Sequence, residues 1–372
     1  MIKYLGSKRR LVPVLGELFA RSGARSALDL FSGTTRVAQE FKRRGAIVTA
    51  VDNTRYAEVL ARCYVATDAE RVESEALDDA LARLQALRGE PGYVTETFCR
   101  TARYFRPENG ERIDAIREAI ERDYRGTPLY PVLLTSLIEA ADRVDSTAGL
   151  QMAFMKRWAP RALHPLALRA PVLLAGPGHA LRADACTAIG ELAPVDLAYL
   201  DPPYNQHRYV TNYHVWETLV AWDAPEHYGI ACKRTDSRDP ATRSAFNSRR
   251  TMPGALRKVV EEVRARVVVI SYNDEAWLSL DDLVDIGASR GAVTVLGFGS
   301  RRYVGAQIGI HDPSGRRVGE VSHLHNTEYV VVAGAAADVA RMTAPYGDAV
   351  VRRAGARHLA PARPSATPSP IA

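Results

Sequence analysis

The residue types best suited to chemistry meet in the stretch Leu197-Ala-Tyr-Leu-Asp-Pro-Pro-Tyr-Asn205. An apolar run of strand character drives into Asp201 and then into two prolines, which cannot continue a hydrogen-bonded ladder. The chain must therefore stop there in a rigid turn. That turn offers a carboxylate, a carbonyl with no neighbouring N–H because Pro202 precedes Pro203, and the aromatic face of Tyr204. In an open α/β sheet, the carboxyl end of a strand is where ligands bind.

Three upstream stretches have the form needed to set a ligand against that corner. Ser26-Ala-Leu-Asp-Leu-Phe-Ser-Gly-Thr-Thr-Arg-Val-Ala-Gln39 reads as a short buried strand, a small-residue turn and an amphipathic helix ending at Gly45. Such a strand, glycine loop and helix place backbone N–H groups where a cofactor can approach closely. Ile47-Val-Thr-Ala-Val-Asp52 reads as a second strand, ending in an acid 19 residues after Gly33. A carboxylate at that position can accept both hydroxyls of a ribose. At the N-terminus, Tyr4-Leu-Gly-Ser-Lys8 precedes Leu11, Val14, Leu15 and Leu18 at helical spacing, with Ser7 as the expected N-cap and Pro13 near the first turn. A glycine beside a helix N-terminus that carries Lys8 would make an anion pocket.

Taken in order, the Tyr4 to Lys8, Asp29 to Gly33 and Asp201-Pro202-Pro203-Tyr204 motifs resemble those of Dam-like (class α) S-adenosylmethionine-dependent DNA N6-adenine methyltransferases. The resemblance covers residues 1–55 and 180–335. It implies an α/β, Rossmann-like methyltransferase fold, with a mixed seven-stranded sheet, a closing antiparallel strand and an inserted, mainly helical target-recognition lobe. S-adenosyl-L-methionine would be held by Tyr4, Lys8, Asp29, Phe31, Ser32, Gly33, Thr34, Asp52, Asp184 and Asp201. In the family Thr35 is usually a second glycine. Catalysis falls to Asp201, Pro202, Pro203 and Tyr204, with Asn205, Arg208, Tyr209, Asn212 and His214 as candidates for holding an extruded nucleotide or its phosphates.

The implied partner is double-stranded DNA, and the implied setting is a restriction or phage-defence system with cognate subunits. Methylation of structured RNA or of cytosine N4, and an inactive methyltransferase-fold module that only binds DNA, remain open alternatives.

At 372 residues the chain exceeds a usual single domain, so a core with an insertion is expected. The reading assigns residues 1–66 and 167–340 to the catalytic domain, 67–166 to the DNA-recognition lobe and 354–372 to a disordered tail. In the lobe, Arg100, Arg103, Arg106, Arg112, Arg117, Arg122 and Arg125 interleave with Tyr93, Phe98, Tyr104, Phe105 and Tyr124, which suits phosphate contact and base probing. Pro171 to Ala175 reads as a strand, residues 230–252 as a mobile basic loop, and residues 300–319 as a hairpin with a basic tip. Residues 293–298 and Glu328 to Ala333 read as the closing antiparallel pair.

A net charge of +6 and a pI near 9.1 suit a polyanionic partner. The four cysteines, Cys63, Cys99, Cys186 and Cys232, are scattered. That spacing argues against a zinc site or disulfide framework and fits a reducing cytoplasm. His207 and His214 lack metal-ligand company, so no metal is expected. No stretch reaches the roughly eighteen apolar residues of a membrane span.

Overall fold

Val267-Val-Val-Ile270 is apolar without alternation because both of its faces are buried, as parallel strands covered by helices require. Val267 and Val269 face one hydrophobic cluster while Val268 and Ile270 face another. In the computed structural model, residues 2–6, 8–203, 206, 208–301, 310–311, 317–319 and 325–355 are described.

After a 3₁₀ turn at Lys8–Arg10, the chain runs through helix α1 (Val12–Ser22), strand β1 (Ser26–Asp29), α2 (Arg36–Arg43), β2 (Ile47–Asp52) and α3 (Arg55–Ala61). The helices α4 (Ser74–Ala86), α5 (Pro107–Tyr124) and α6 (Tyr130–Arg143) intervene before β3 (Gly178–Arg182). Next come α7 (Ala185–Ala188), β4 (Val195–Leu200), α8 (Tyr209–Asn212), α9 (His214–Ala221) and a ribbon of β5 (His227–Tyr228) and β6 (Lys233–Arg234). The remainder is α10 (Met252–Glu262), β7 (Ala265–Asn273), α11 (Leu280–Gly287), β8 (Ala292–Arg301), β9 (Ile310–His311), β10 (Arg317–Gly319), β11 (His325–Gly334), α12 (Ala336–Thr343) and β12 (Val350–Ala354).

The main sheet has the order β12-β8-β11-β7-β4-β1-β2-β3. Strands β3, β2, β1, β4 and β7 are parallel, while β11, β8 and β12 pair antiparallel. This is the Rossmann-like arrangement implied by the motifs, with β8 and β11 as the closing pair. An eighth strand, β12, lies beyond the expected seven. Its Val350-Val-Arg-Arg-Ala is short and half exposed at a sheet edge, so it carries no core signature, and it ends at Ala354, the first residue of the expected tail. Residues 356–372 lie outside the described residues. Chain order reverses between β1 and β4, so their carboxyl ends flank a crevice.

Four local expectations change. The N-terminal α-helix begins at Val12 rather than directly after Ser7, with Leu11 at its N-cap and Pro13 in its first turn; Ser7 is outside the described residues. Pro171 to Ala175 is not a strand, and β3 begins only at Gly178, where an added Cβ would stand 2.4 Å from the Val65 carbonyl. Residues 230–252 hold β6, three short 3₁₀ turns and the start of α10. Arg234, 1% exposed, is gripped by Asp223 and Asp236, and Phe246 is fully buried. Residues 302–309 and 312–316, most of the expected basic tip, are outside the described residues.

Four of the five lobe aromatics are core rather than base probes. Phe98, Tyr104, Phe105 and Tyr124 are buried, in one hydrophobic cluster that also takes in Tyr56 and Leu60 of α3 and Tyr213, Trp216 and Leu219. The helices therefore share their core with the segment after the Pro-Pro turn. Arg117 is fully buried and donates to the Leu219 and Val220 carbonyls, capping the last turn of α9. Arg100, Arg106, Arg122 and Arg125 pair with neighbouring acids on the surface. No helix among the described residues is long and apolar enough to cross a membrane.

Candidate active site

A cavity of about 550 Å³ lies at the crevice, and its wall includes Tyr4, Lys8, Phe31, Asp52, Asp184, Asp201, Pro202 and Pro203. Segments far apart in sequence meet there because β1, β2, β3 and β4 are neighbours and all end on the same side. The wall is completed by Arg208, Tyr209 and Val210 and by Asp236, Arg243 and Asn247 of the ordered 230–252 segment. That segment is fixed to the glycine loop by an edge-on contact between Phe246 and Phe31, with ring centres 4.9 Å apart.

At the end of β4, Asp201 Oδ1 accepts from Ser271 Oγ at 3.0 Å and pairs with Lys8 Nζ at 3.0 Å. Ser271 sits there because β4 and β7 pair in parallel, Leu200 beside Ile270. A carboxylate can only accept, so Ser271 donates to it and the Tyr199 hydroxyl donates to Ser271 at 2.7 Å. Among the described residues Oδ2 takes no hydrogen bond. Burial raises the Asp201 carboxyl above the usual carboxylate range, while Lys8 and Ser271 pull it back.

The ammonium of Lys8 is also 3.5 Å from Glu328 Oε2 on β11. Glu328 was not legible as a site residue. Its only signal was a charge ahead of the apolar run of β11, which any strand end can carry.

On the other side of the cavity, Asp52 ties the loop together. Its Oδ2 accepts from Gly33 N at 3.0 Å, and its Oδ1 accepts from Thr54 N and Oγ1 at 3.0 and 2.8 Å. Gly33 has φ +47°, and an added Cβ would lie 2.9 Å from the Tyr4 hydroxyl. Thr35 adopts the left-handed conformation, φ +60°, that a glycine takes without cost. Its hydroxyl donates to Thr34 O and accepts from Gln39 Nε2, so buried hydrogen bonds hold a β-branched residue where glycine is usual.

Asp29 lies behind the wall, 1% exposed, with Oδ2 accepting from Ala38 N and Oδ1 without a hydrogen-bond partner. Burial, reinforced by the Asp201 charge, pushes its carboxyl up to about 8. Ser32, Gly33 and Thr34 likewise shape the loop without being part of the wall. Asp184 is in the wall and N-caps α7 through Cys186 N and Thr187 N. Tyr4 lies nearly parallel to Tyr209 and Tyr213, with ring centres 5.2 and 4.9 Å away, and Leu5 N donates to the Tyr213 hydroxyl. The N-terminal motif is thereby docked on α8 and α9.

Of the expected nucleotide-holding residues, Arg208 and Tyr209 reach the cavity, and Arg208 donates to Ser237 O and Thr242 Oγ1. His214 does not: it is fully buried, with Nε2 shared between Gln151 O and the Tyr104 hydroxyl, and burial lowers its pKa to about 3. Asn212 is also buried and outside the wall; its carbonyl accepts from Gln151 N. Both sit on the core side of α8 and α9, where helical spacing turns them from the opening. Tyr204 and Asn205 are outside the described residues. Among the described residues no cluster of three or more His, Cys, Asp or Glu side chains could hold a metal ion.

A model of the family described as D12 class N6 adenine-specific DNA methyltransferase matches residues 4–286. Among curated proteins, the Type II methyltransferase M.NlaIII of Neisseria lactamica is 31% identical over 300 residues, covering 77% of this chain and 87% of that protein. The Type II methyltransferase M.CviAII of Paramecium bursaria Chlorella virus 1 is 28% identical, covering 81% of this chain and 92% of that protein. The Type II methyltransferase M.FokI of Planomicrobium okeanokoites is 28% identical, and the aligned part spans only 47% of its length.

Proposed function

Since the chain belongs to the D12 class N6 adenine-specific DNA methyltransferase family, we propose that it transfers a methyl group from S-adenosyl-L-methionine to the N6 amine of an adenine in duplex DNA, at a specific sequence. The observation that carries the reading is the single cavity joining Asp201-Pro202-Pro203 to Phe31, Asp52 and Asp184. Its volume and its acidic groups suit a nucleoside-bearing cofactor. Asp52 would meet the ribose hydroxyls, Asp184 the adenine amino group, and Phe31 with Tyr4 the apolar surface between. When bound, S-adenosylmethionine supplies an electrophilic methyl on a sulfonium.

The aromatic amine is a poor nucleophile because its lone pair is delocalised into the ring. Asp201 and the Pro202 carbonyl act as acceptors for its two N–H bonds, drawing the nitrogen toward tetrahedral geometry and freeing the lone pair. The nitrogen gains the methyl as the sulfur keeps the bonding pair, and one amine proton leaves, with Asp201 its hydrogen-bonded acceptor. The adenine must first leave the duplex, at a cost of a few kcal/mol. Stacking on Tyr204, worth about 1–3 kcal/mol, offsets that cost. Residues 67–166 serve as the target-recognition part, and the type II relatives support a restriction-modification setting.

Incubation with unmethylated genomic DNA and S-adenosylmethionine, followed by nucleoside mass spectrometry, tests the assignment. N6-methyladenine is the expected product, absent with Asp201→Ala although that variant still binds the cofactor. N4-methylcytosine, or product formed only on RNA, would replace the reading.

A further inference from the structure

Glu328 neither donates to nor accepts from Asp201, yet it lies against that residue's counter-ion. The geometry is a row: Tyr199 hydroxyl, Ser271 Oγ, Asp201 Oδ1, Lys8 Nζ and Glu328 Oε2, at successive separations of 2.7, 3.0, 3.0 and 3.5 Å. Glu328 Oε2 is a buried oxygen with no hydrogen bond of normal length. Burying such an atom costs free energy, and the main sheet holds it there through β11, where Glu328 pairs with Asn273.

We propose that Glu328 is a positioning residue for methyl transfer: by sharing the Lys8 ammonium, it keeps that cation on Oδ1 of Asp201 and leaves Oδ2 as the acceptor for the substrate amine. The inference rests on reading the corner as an amine methyltransferase site. Lys8 is only 7% exposed, so its charge is poorly screened by water. Without the second carboxylate against it, the ammonium would neutralise Asp201 more fully and could bridge both oxygens, occupying the atom that must meet the amine. With two carboxylates around it, the cluster keeps a net negative charge and Asp201 remains a strong acceptor.

The groups bearing on the row come from every neighbouring element. Asp29 lies beneath Asp201 at the end of β1, and Asp274 follows β7 beside Glu328. Burial raises the Glu328 carboxyl most, Lys8 opposes this, and Asp201 adds to it. The Asp201 charge thus bears on Glu328, with Lys8 between the two acids.

The test is steady-state methylation of unmethylated DNA by Glu328→Gln, at saturating S-adenosylmethionine, from pH 5 to 9. Removing one negative charge makes Asp201 easier to ionise, so the acid limb of kcat should move down by about one pH unit, while kcat on the plateau falls several-fold. Glu328→Asp, which keeps the charge, should retain the wild-type limb. Lys8→Met, should the first variant fold poorly, should move the limb up. An acid limb that stays in place or moves up in Glu328→Gln, or one that stays in place in Lys8→Met, overturns the proposal. Absence of N6-methyladenine with the wild-type protein would instead strike the functional assignment itself.

Discussion

Gly33 N donates to Asp52 Oδ2 over 3.0 Å, so the turn after β1 and the acid ending β2 form one unit facing the cavity. Asp52 thereby orients the loop while keeping acceptor capacity toward the opening, since a carboxylate has about four lone-pair sites.

Gly33→Ala should disable this unit. The left-handed conformation costs a side chain about 1–2 kcal/mol, and the new Cβ would collide with the Tyr4 hydroxyl. Cofactor affinity measured by calorimetry should fall at least about tenfold, the equivalent of 1.4 kcal/mol, with the folded state retained. Unaltered affinity would mean that this close approach does not shape the cofactor site.

Thr35 presents the opposite case, a strained residue held by its hydroxyl. Thr35→Gly removes the conformational cost but also both hydroxyl hydrogen bonds, each worth about 0.5–1.5 kcal/mol, so urea unfolding should place it within about 1 kcal/mol of wild type. Thr35→Val keeps the strain and loses the hydrogen bonds. It should be destabilised by about 1–3 kcal/mol, the penalty of leaving the buried Gln39 amide unpaired. If the valine variant were as stable as wild type, the hydroxyl would not be what holds the turn.

Asp29 should make stability fall with rising pH. Its carboxyl is pushed up to about 8 in the folded chain, against an ordinary value of 3.8. A pKa raised by folding gives a contribution that is fully present below the unfolded value and is lost as pH rises through the folded one, here between about 4 and 8. Asp29→Asn, unable to ionise, should lose less stability than wild type as pH rises from about 5 to 9 in chemical unfolding. Equal loss of stability in both proteins over that window would show that Asp29 does not ionise at a cost.

Much of the frame was legible because its signals are local. Strands β1, β2, β4 and β7 announce themselves by apolar runs, and Gly33, Asp52 and Asp201 by ending those runs with residues that a plain core strand would not use. His214 and Asn212 misled because a polar residue looks the same in sequence whether it faces an opening or satisfies a buried carbonyl. The helical insertion misled for a related reason: arginines interleaved with aromatics describe a binding surface and a buried core with a charged rim equally well. Arg117, sealed against the last carbonyls of α9, belongs to the second kind.

The amino-acid order alone determined the acceptor corner at Asp201, the glycine turn before α2 and the acid at Asp52, since each depends on the conformational limits of proline, glycine and a strand's end. Only the tertiary structure decided that Lys8, Ser271 and Glu328 converge on Asp201, that Asp29 lies behind the wall, and that residues 230–252 close the cavity. Those relationships are set by strand order and by which face of each element is buried, and neither is encoded in spacing along the chain.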